Sequence, residues 1–132
     1  DYFIEEPTIV FGRVGEYCGS IHLLNENCWI TDNGLYVTKF LSEVNLGFLA
    51  PLFQIMNFNS YSKVGGQPSI SQTTVTNLSI SFPPLPEQQK IADILSEADA
   101  KIEKEQTQKS QLEALKKGLM QQLLTGKKRV KV

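Results

Sequence analysis

The sequence predicts an α+β fold: a small β-rich domain with one packed helix, followed by a long C-terminal helix of coiled-coil type. Three observations predict it. Short apolar runs separated by turn residues fill Thr8 to Lys39, apolar residues recur at three- and four-residue spacing from Ser42 to Phe58, and a second helical pattern runs from Pro86 to Thr125. The chain has 132 residues, 41% of them hydrophobic and 20% charged. That suits a folded domain with an appended helix, and excludes a disordered tail or a multidomain machine.

Each element has a local reason. Thr8-Ile9-Val10-Phe11, Ser20-Ile21-His22-Leu23-Leu24 and Cys28-Trp29-Ile30 are short apolar runs bounded by Gly12, Gly19 and polar residues, the signature of strands. Asp32-Asn33-Gly34 tolerates positive φ, and Leu35-Tyr36-Val37-Thr38 after it favours a strand, so a hairpin or a tight strand connection is expected here. Val44, Phe48, Leu49, Leu52, Phe53, Ile55 and Met56 form the apolar stripe of a helix that Ser42 or Asn45 caps. Pro51 kinks that helix, unless the helix starts at Ala50 and places Pro51 in its first turn. After a polar loop from Ser60 to Ser69, Ser71 is placed to cap a short helical turn. The alternation Leu78-Ser79-Ile80-Ser81-Phe82 then reads as a strand with one buried face.

Pro83-Pro84-Leu85-Pro86 ends the globular part, because Pro86 suits a first helical turn and Glu87 complements the helix dipole. Ile91, Leu95, Ala98, Ile102, Leu112, Leu119 and Leu123 fall on one seam at alternating steps of four and three, with Glu105, Lys109 and Lys116 filling its gaps. A helix from Pro86 to Thr125 is about 60 Å long, more than an 85-residue domain can cover, so the seam wants a helical partner. Its middle, Glu103 to Gln111, holds no strongly apolar residue. A polar stretch of that kind costs stability and selects a specified partner, while leaving both parallel and antiparallel pairing open. Gly126, with Lys127, Lys128 and Arg129 after it, stops the helix. The expected organisation is therefore a domain at 1–85, a long helix at 86–126 and a basic tail at 127–132.

Several function classes are excluded. The longest uncharged stretch, Val44 to Tyr61, is broken by polar residues, glycine and proline, and nothing reaches the roughly 20 apolar residues of a membrane span. The start of the sequence does not read as a secretion signal, so a cytoplasmic location and no membrane partner are expected. Cys18, Cys28 and the single His22 do not complete a metal-ligand set. The spacing of the two cysteines leaves a disulfide open, and the plainer expectation is two thiols in or near the core. No phosphate-binding, dinucleotide or metalloprotease motif is present, and no triad can be placed around one histidine. The expectation is no enzyme, no metal and no cofactor.

Three loops concentrate glycine and hydrogen-bonding side chains: Arg13 to Ser20, Trp29 to Gly34, and Lys63 to Ser71. Glycine lets a backbone approach a ligand, and Arg, Lys, Gln, Ser and Tyr donate to phosphates or base edges. The alternative is that all three are ordinary turns. Charge alone favours no nucleic acid, since residues 1 to 85 carry a net −4 and residues 86 to 132 a net +3. The front part thus lacks the basic excess that bulk phosphate neutralisation uses.

Two runs resolve the choice. Phe82-Pro83-Pro84-Leu85-Pro86-Glu87-Gln88-Gln89-Lys90-Ile91-Ala92-Asp93-Ile94-Leu95, and further on Leu115-Lys116-Lys117-Gly118-Leu119-Met120-Gln121-Gln122-Leu123-Leu124-Thr125-Gly126, closely resemble the distal conserved helix of the specificity subunit of type I restriction-modification systems. Gly12-Arg13-Val14-Gly15, Thr31-Asp32-Asn33-Gly34 and Gly65-Gly66-Gln67-Pro68-Ser69-Ile70-Ser71 resemble the second half of a target recognition domain of that family. The resemblance spans nearly the whole chain.

It implies a non-catalytic reader of double-stranded DNA. A full subunit of that family holds two target recognition domains, each reading one half of a bipartite sequence. Two long conserved helices separate them, pair as a spacer and dock the methyltransferase subunits. Methyl transfer and ATP-driven cleavage belong to the modification and restriction subunits. This sequence holds one partial recognition domain and one spacer helix, and is expected to be a C-terminal fragment or a half-subunit that has lost its start. The seam then pairs with a second spacer helix, in one form between two copies as a homodimer. Donor chemistry within the three loops selects Arg13, Tyr17, Ser20, Thr31, Asn33, Lys63, Gln67, Ser69 and Ser71 as the DNA-facing residues. The competing expectation is a coiled-coil adaptor with a β-rich head that binds protein and no DNA.

Overall fold

The computed structural model describes residues 2–62 and 66–131. The chain divides into two compact units, Asp1–Asp93 and Ile94–Val132.

The first unit is built on β2 (Thr8–Gly12), the central strand of a three-stranded antiparallel sheet with β3 (Ile21–Leu24) and β5 (Gly34–Tyr36) on either side. Register places Phe11 opposite Ile21 on one edge and opposite Leu35 on the other. A two-stranded antiparallel ribbon, β1 (Tyr2–Ile4) with β4 (Cys28–Ile30), sets Phe3 against Trp29. The Asp32-Asn33-Gly34 turn forms as its residues dictate, closed by Gly34 N–H donating to the Thr31 carbonyl at 3.0 Å. It is a tight connection and not a hairpin, because β4 and β5 belong to different sheets.

Helix α1 (Leu46–Ile55) packs on β2 and β3 and buries Phe48, Leu49, Ala50 and Phe53. Asn45 caps it, its Oδ1 accepting from Phe48 N–H at 3.1 Å. Pro51 lies inside this helix, so the start at Ala50 is not realised. The intrahelical donor that proline removes is the one for the Gly47 carbonyl, and Gly47 is exposed, where water can replace it. Phe11, Phe53 and Phe58 close the core with ring centroids 5.1 to 5.7 Å apart, in tilted and edge-on geometries that suit their quadrupoles. Cys18 joins this core as a free buried thiol, and Cys28 is free and half-buried.

A short helix α2 (Gln72–Thr76) is capped by Ser71, whose Oγ accepts from Thr74 N–H at 3.2 Å. The expected strand at Leu78–Phe82 does not form. Its alternation is kept in burial, with Leu78 and Ile80 half-buried and Ser79 and Ser81 exposed, but the segment has no strand partner among the described residues. Leu78 and Ile80 still pack on the core.

Helix α3 (Leu85–Leu123) is continuous over 39 residues, about 58 Å. Its first turns belong to the first unit. The second unit, taken alone, is its remaining length, with exposed i,i+4 ion pairs Lys101–Glu97 at 2.9 Å and Lys109–Glu113 at 3.9 Å. Gly126 adopts φ of +73°, the left-handed conformation that ends a helix, and Lys128 N–H donates back to the Gln122 carbonyl at 2.9 Å. Among the described residues no helix is long and apolar enough to cross a membrane.

Candidate functional site

Strand β2 ends at Gly12, where a side chain would overlap the Tyr17 carbonyl, and the chain folds tightly over Gly15 and Gly19, both at positive φ. This compact loop leaves the backbone groups of Arg13 and Gly15, on either side of the extended Val14, to be paired by other segments. Arg13 N–H donates to the Asn33 carbonyl at 2.8 Å, Ile70 N–H donates to the Arg13 carbonyl at 2.9 Å, and Gly15 N–H donates to the Pro68 carbonyl at 3.0 Å. Val14 and Ser69 thus form an antiparallel bridge. The three glycine-containing loops, distant in sequence, meet on one backbone segment.

Their side chains line an open groove of about 650 Å³ whose walls include Tyr17, Trp29, Thr31, Asn33 and Gln67. Tyr17 and Trp29 are each 70% exposed, an unusual outlay of aromatic surface. Thr31 Oγ1 accepts from Asn33 N–H at 3.4 Å and helps hold the Asn33 turn. Asn33 and Gln67 contribute side-chain amides, each able to donate and accept at once.

The other expected residues take different places. Arg13 is exposed, and its Nη1 donates to the Asp32 carbonyl at 3.2 Å, which fixes the guanidinium while leaving most of its donors free. It lines a second cleft with Tyr36, Lys39 and Gln72. Ser20 is half-buried and shares a 3.1 Å hydrogen bond with His22 Nε2. Ser69 is half-buried on the bridge to Val14, and the Ser71 hydroxyl is engaged in capping α2. Lys63 lies outside the described residues.

Sequence reasoning missed Trp29 and His22, which also line the groove. The signal for Trp29 was present: in Cys28-Trp29-Ile30 the period-two alternation that buries Ile30 turns Trp29 outward, where its ring meets Phe3 at a tilt, centroids 5.2 Å apart. Among the described residues no carboxylate is hydrogen-bonded to the Ser20–His22 pair. Burial pushes the Cys18 thiol up, away from the reactive thiolate. No group of three or more His, Cys, Asp or Glu that could hold a metal occurs among the described residues. What the groove presents is hydrogen-bonding amides and hydroxyls beside two exposed aromatic rings.

On α3, Leu95, Ile102, Leu112, Leu119 and Leu123 are 38% to 65% exposed, Ala98 is exposed, and Ile91 is half-buried in the first unit. Leu115, Met120 and Leu124, which the four-and-three count omitted, join Leu112, Leu119 and Leu123 in one apolar strip near the helix end. Gly118 has nothing within 4 Å of where a Cβ would stand.

Residues 1–114 match the family described as type I restriction modification DNA specificity domain. The chain is 31% identical over 129 residues to the type I restriction enzyme MjaVIII specificity subunit of Methanocaldococcus jannaschii, a match covering 97% of this chain and 26% of that protein. It is 33% identical over 102 residues to a second protein of that organism, provisionally named the type I restriction enzyme MjaX specificity subunit, covering 77% of this chain and 23% of that protein. The chain therefore spans about a quarter of the length of these relatives.

Proposed function

The chain belongs to the type I restriction modification DNA specificity domain family, and from that premise we propose that it reads one half of a bipartite target in double-stranded DNA without catalysing a reaction. The observation that carries the reading is the meeting of three loops on the Arg13–Gly15 backbone, which gathers Tyr17, Asn33 and Gln67 around one groove. Side-chain amides read base edges bidentately, and glycine-built loops let the backbone come close to the duplex. Arg13, Ser20, Thr31, Lys63 and Ser69 act beside them on phosphates or bases. Ser71, whose hydroxyl caps α2, acts by holding its loop.

In this reading α3 is the spacer. Its exposed seam pairs with a second spacer helix, of the same subunit or of a second copy, and docks the methyltransferase. Methylation and cleavage take place in the modification and restriction subunits of a cytoplasmic complex.

The test is a genome-wide map of adenine methylation in cells carrying the protein that contains this chain together with its methyltransferase. Replacing residues 63–71 by a Gly-Ser linker is expected to erase or change one half of a bipartite methylated motif. An unaltered motif, or none in the parent cells, overturns the reading. The adaptor alternative draws on the net −4 of residues 1–85. Duplex binding that weakens steeply with salt counts against it, since phosphate contacts release counterions.

A further inference from the structure

The groove walled by Tyr17, Asn33 and Gln67 also has an apolar lining. Val10 and Leu24 contribute to it from β2 and β3, where they alternate with the core residues Ile9, Phe11 and Ile21 and so lie on the sheet face turned from the core. Trp29 adds the largest apolar surface, and it stands on strand β4 rather than on a loop. Phe3 is its cross-strand partner, and the two rings meet at 47°. That brace holds the indole in place before a ligand arrives, so little side-chain freedom is lost on binding. The indole is nevertheless 70% exposed, in the same groove as the Asn33 and Gln67 amides.

A fixed apolar ring beside side-chain amides matches one kind of base pair. An Asn or Gln amide bonds bidentately to adenine N6 and N7 in the major groove, and the thymine opposite presents a C5 methyl there. A G·C pair presents acceptors and a donor on the same edge, with no methyl for an indole to cover. Its matching side chains are Arg and Lys, and among the described residues lining this groove there is neither. Arg13 is close in sequence, but its side chain lines the other cleft.

Resting on the proposed reading of this chain as a half-site reader, we infer that Trp29 is a specificity-determining residue that covers the C5 methyl of a thymine, in an A·T pair whose adenine is read by an amide of the same groove. The half-site then contains at least one A·T pair recognised through both of its bases. Trp29 contributes by excluding water from the methyl, which cytosine in the same place would lack.

The experiment uses the protein that contains this chain in complex with its methyltransferase, and the half-site that the 63–71 replacement alters. Thymines of that half-site are replaced one at a time by deoxyuridine, which removes the C5 methyl and nothing else. One replacement is expected to weaken duplex binding about threefold to fivefold, the worth of one buried methyl. In Trp29→Ala that penalty should vanish, while the penalties for exchanging the other base pairs remain. If Trp29→Ala fails to accumulate, the unaltered protein decides: 5-bromouracil at the sensitive position should photo-crosslink to Trp29. A half-site without an A·T pair, a uracil penalty at no position, a penalty that Trp29→Ala leaves intact, or a crosslink that falls on another residue overturns the inference. When cognate duplex is still preferred over scrambled duplex in such a case, the role of Trp29 alone falls. If no bipartite motif exists, or cognate and scrambled duplexes bind alike, the underlying reading falls with it.

Discussion

The backbone N–H of Arg13 donates to the Asn33 carbonyl at 2.8 Å, joining residues twenty positions apart and placing the Tyr17 loop beside the Asn33 turn. The Arg13 carbonyl in turn accepts from Ile70 N–H at 2.9 Å. Backbone hydrogen bonds thus join the loops of the groove, and its exposed side chains Tyr17 and Gln67 take no part in those bonds.

That separation predicts the behaviour of Tyr17 and Gln67. Both are exposed, and replacing either by alanine is expected to change stability by no more than about 0.5 kcal/mol. Binding to cognate duplex should fall more than binding to scrambled duplex. Equal loss on both duplexes in a competition titration would remove Gln67 from base reading.

Gly19 is a different matter. It sits at φ +82°, and a Cβ there would run into the Asn59 backbone. Gly19→Ala is expected to destabilise the first unit by about 1–3 kcal/mol from the backbone conformation alone, with the collision adding to it. Urea unfolding measures this, and a midpoint equal to the parent's would mean the loop relaxes freely.

Phe58 is 1% exposed and touches both Phe11 and Phe53. Phe58→Ala is expected to cost about 3–5 kcal/mol through lost burial and the cavity left behind. A small domain has little more than that to lose, so the readout is loss of near-ultraviolet dichroism at room temperature.

Cys18 and Cys28 should react unequally. The buried Cys18 thiol is raised by desolvation, so Cys28 is expected to be alkylated first and Cys18 only as the fold opens. The sign for stability follows. The native state holds the Cys18 proton longer than the unfolded chain, so this contribution is intact below about pH 8.5 and declines above it. Cys18→Ala should flatten that alkaline decline, and an unchanged slope would assign it to other groups.

Leu119 lies in the apolar strip with Leu112, Leu115 and Leu123. Leu119→Glu is expected to leave the helical dichroism of the chain intact while abolishing, in cross-linking, the helix pairing proposed above. Undiminished cross-linking would place the partner on another face.

Much of this protein was legible as local pattern. Asn45 as a cap, Ser71 as a cap, the Asp32-Asn33-Gly34 turn and the Gly126 stop are each specified by a few neighbouring residues, because capping and left-handed backbone are local properties. So is the long helix, whose period repeats without reference to anything distant. Other features depend on what a segment meets. Leu78 to Phe82 carries strand alternation but only half-buries Leu78 and Ile80 and leaves Phe82 exposed, and alternation cannot supply the neighbouring edge that makes a strand. The residues flanking Asn33 announced strands without saying that they join different sheets. The buried Gln88 was least legible: Pro83, five residues back, supplies one hydrogen-bond partner locally, but the other, the Asn45 backbone 43 residues away, is brought by tertiary packing. The sequence by itself determined strands β2 to β5 and the three helices, since these follow from backbone preference and period. Only the tertiary structure decided which strands pair, which loops share the Arg13 backbone and which amide is buried, since each is a match between two surfaces far apart in the chain.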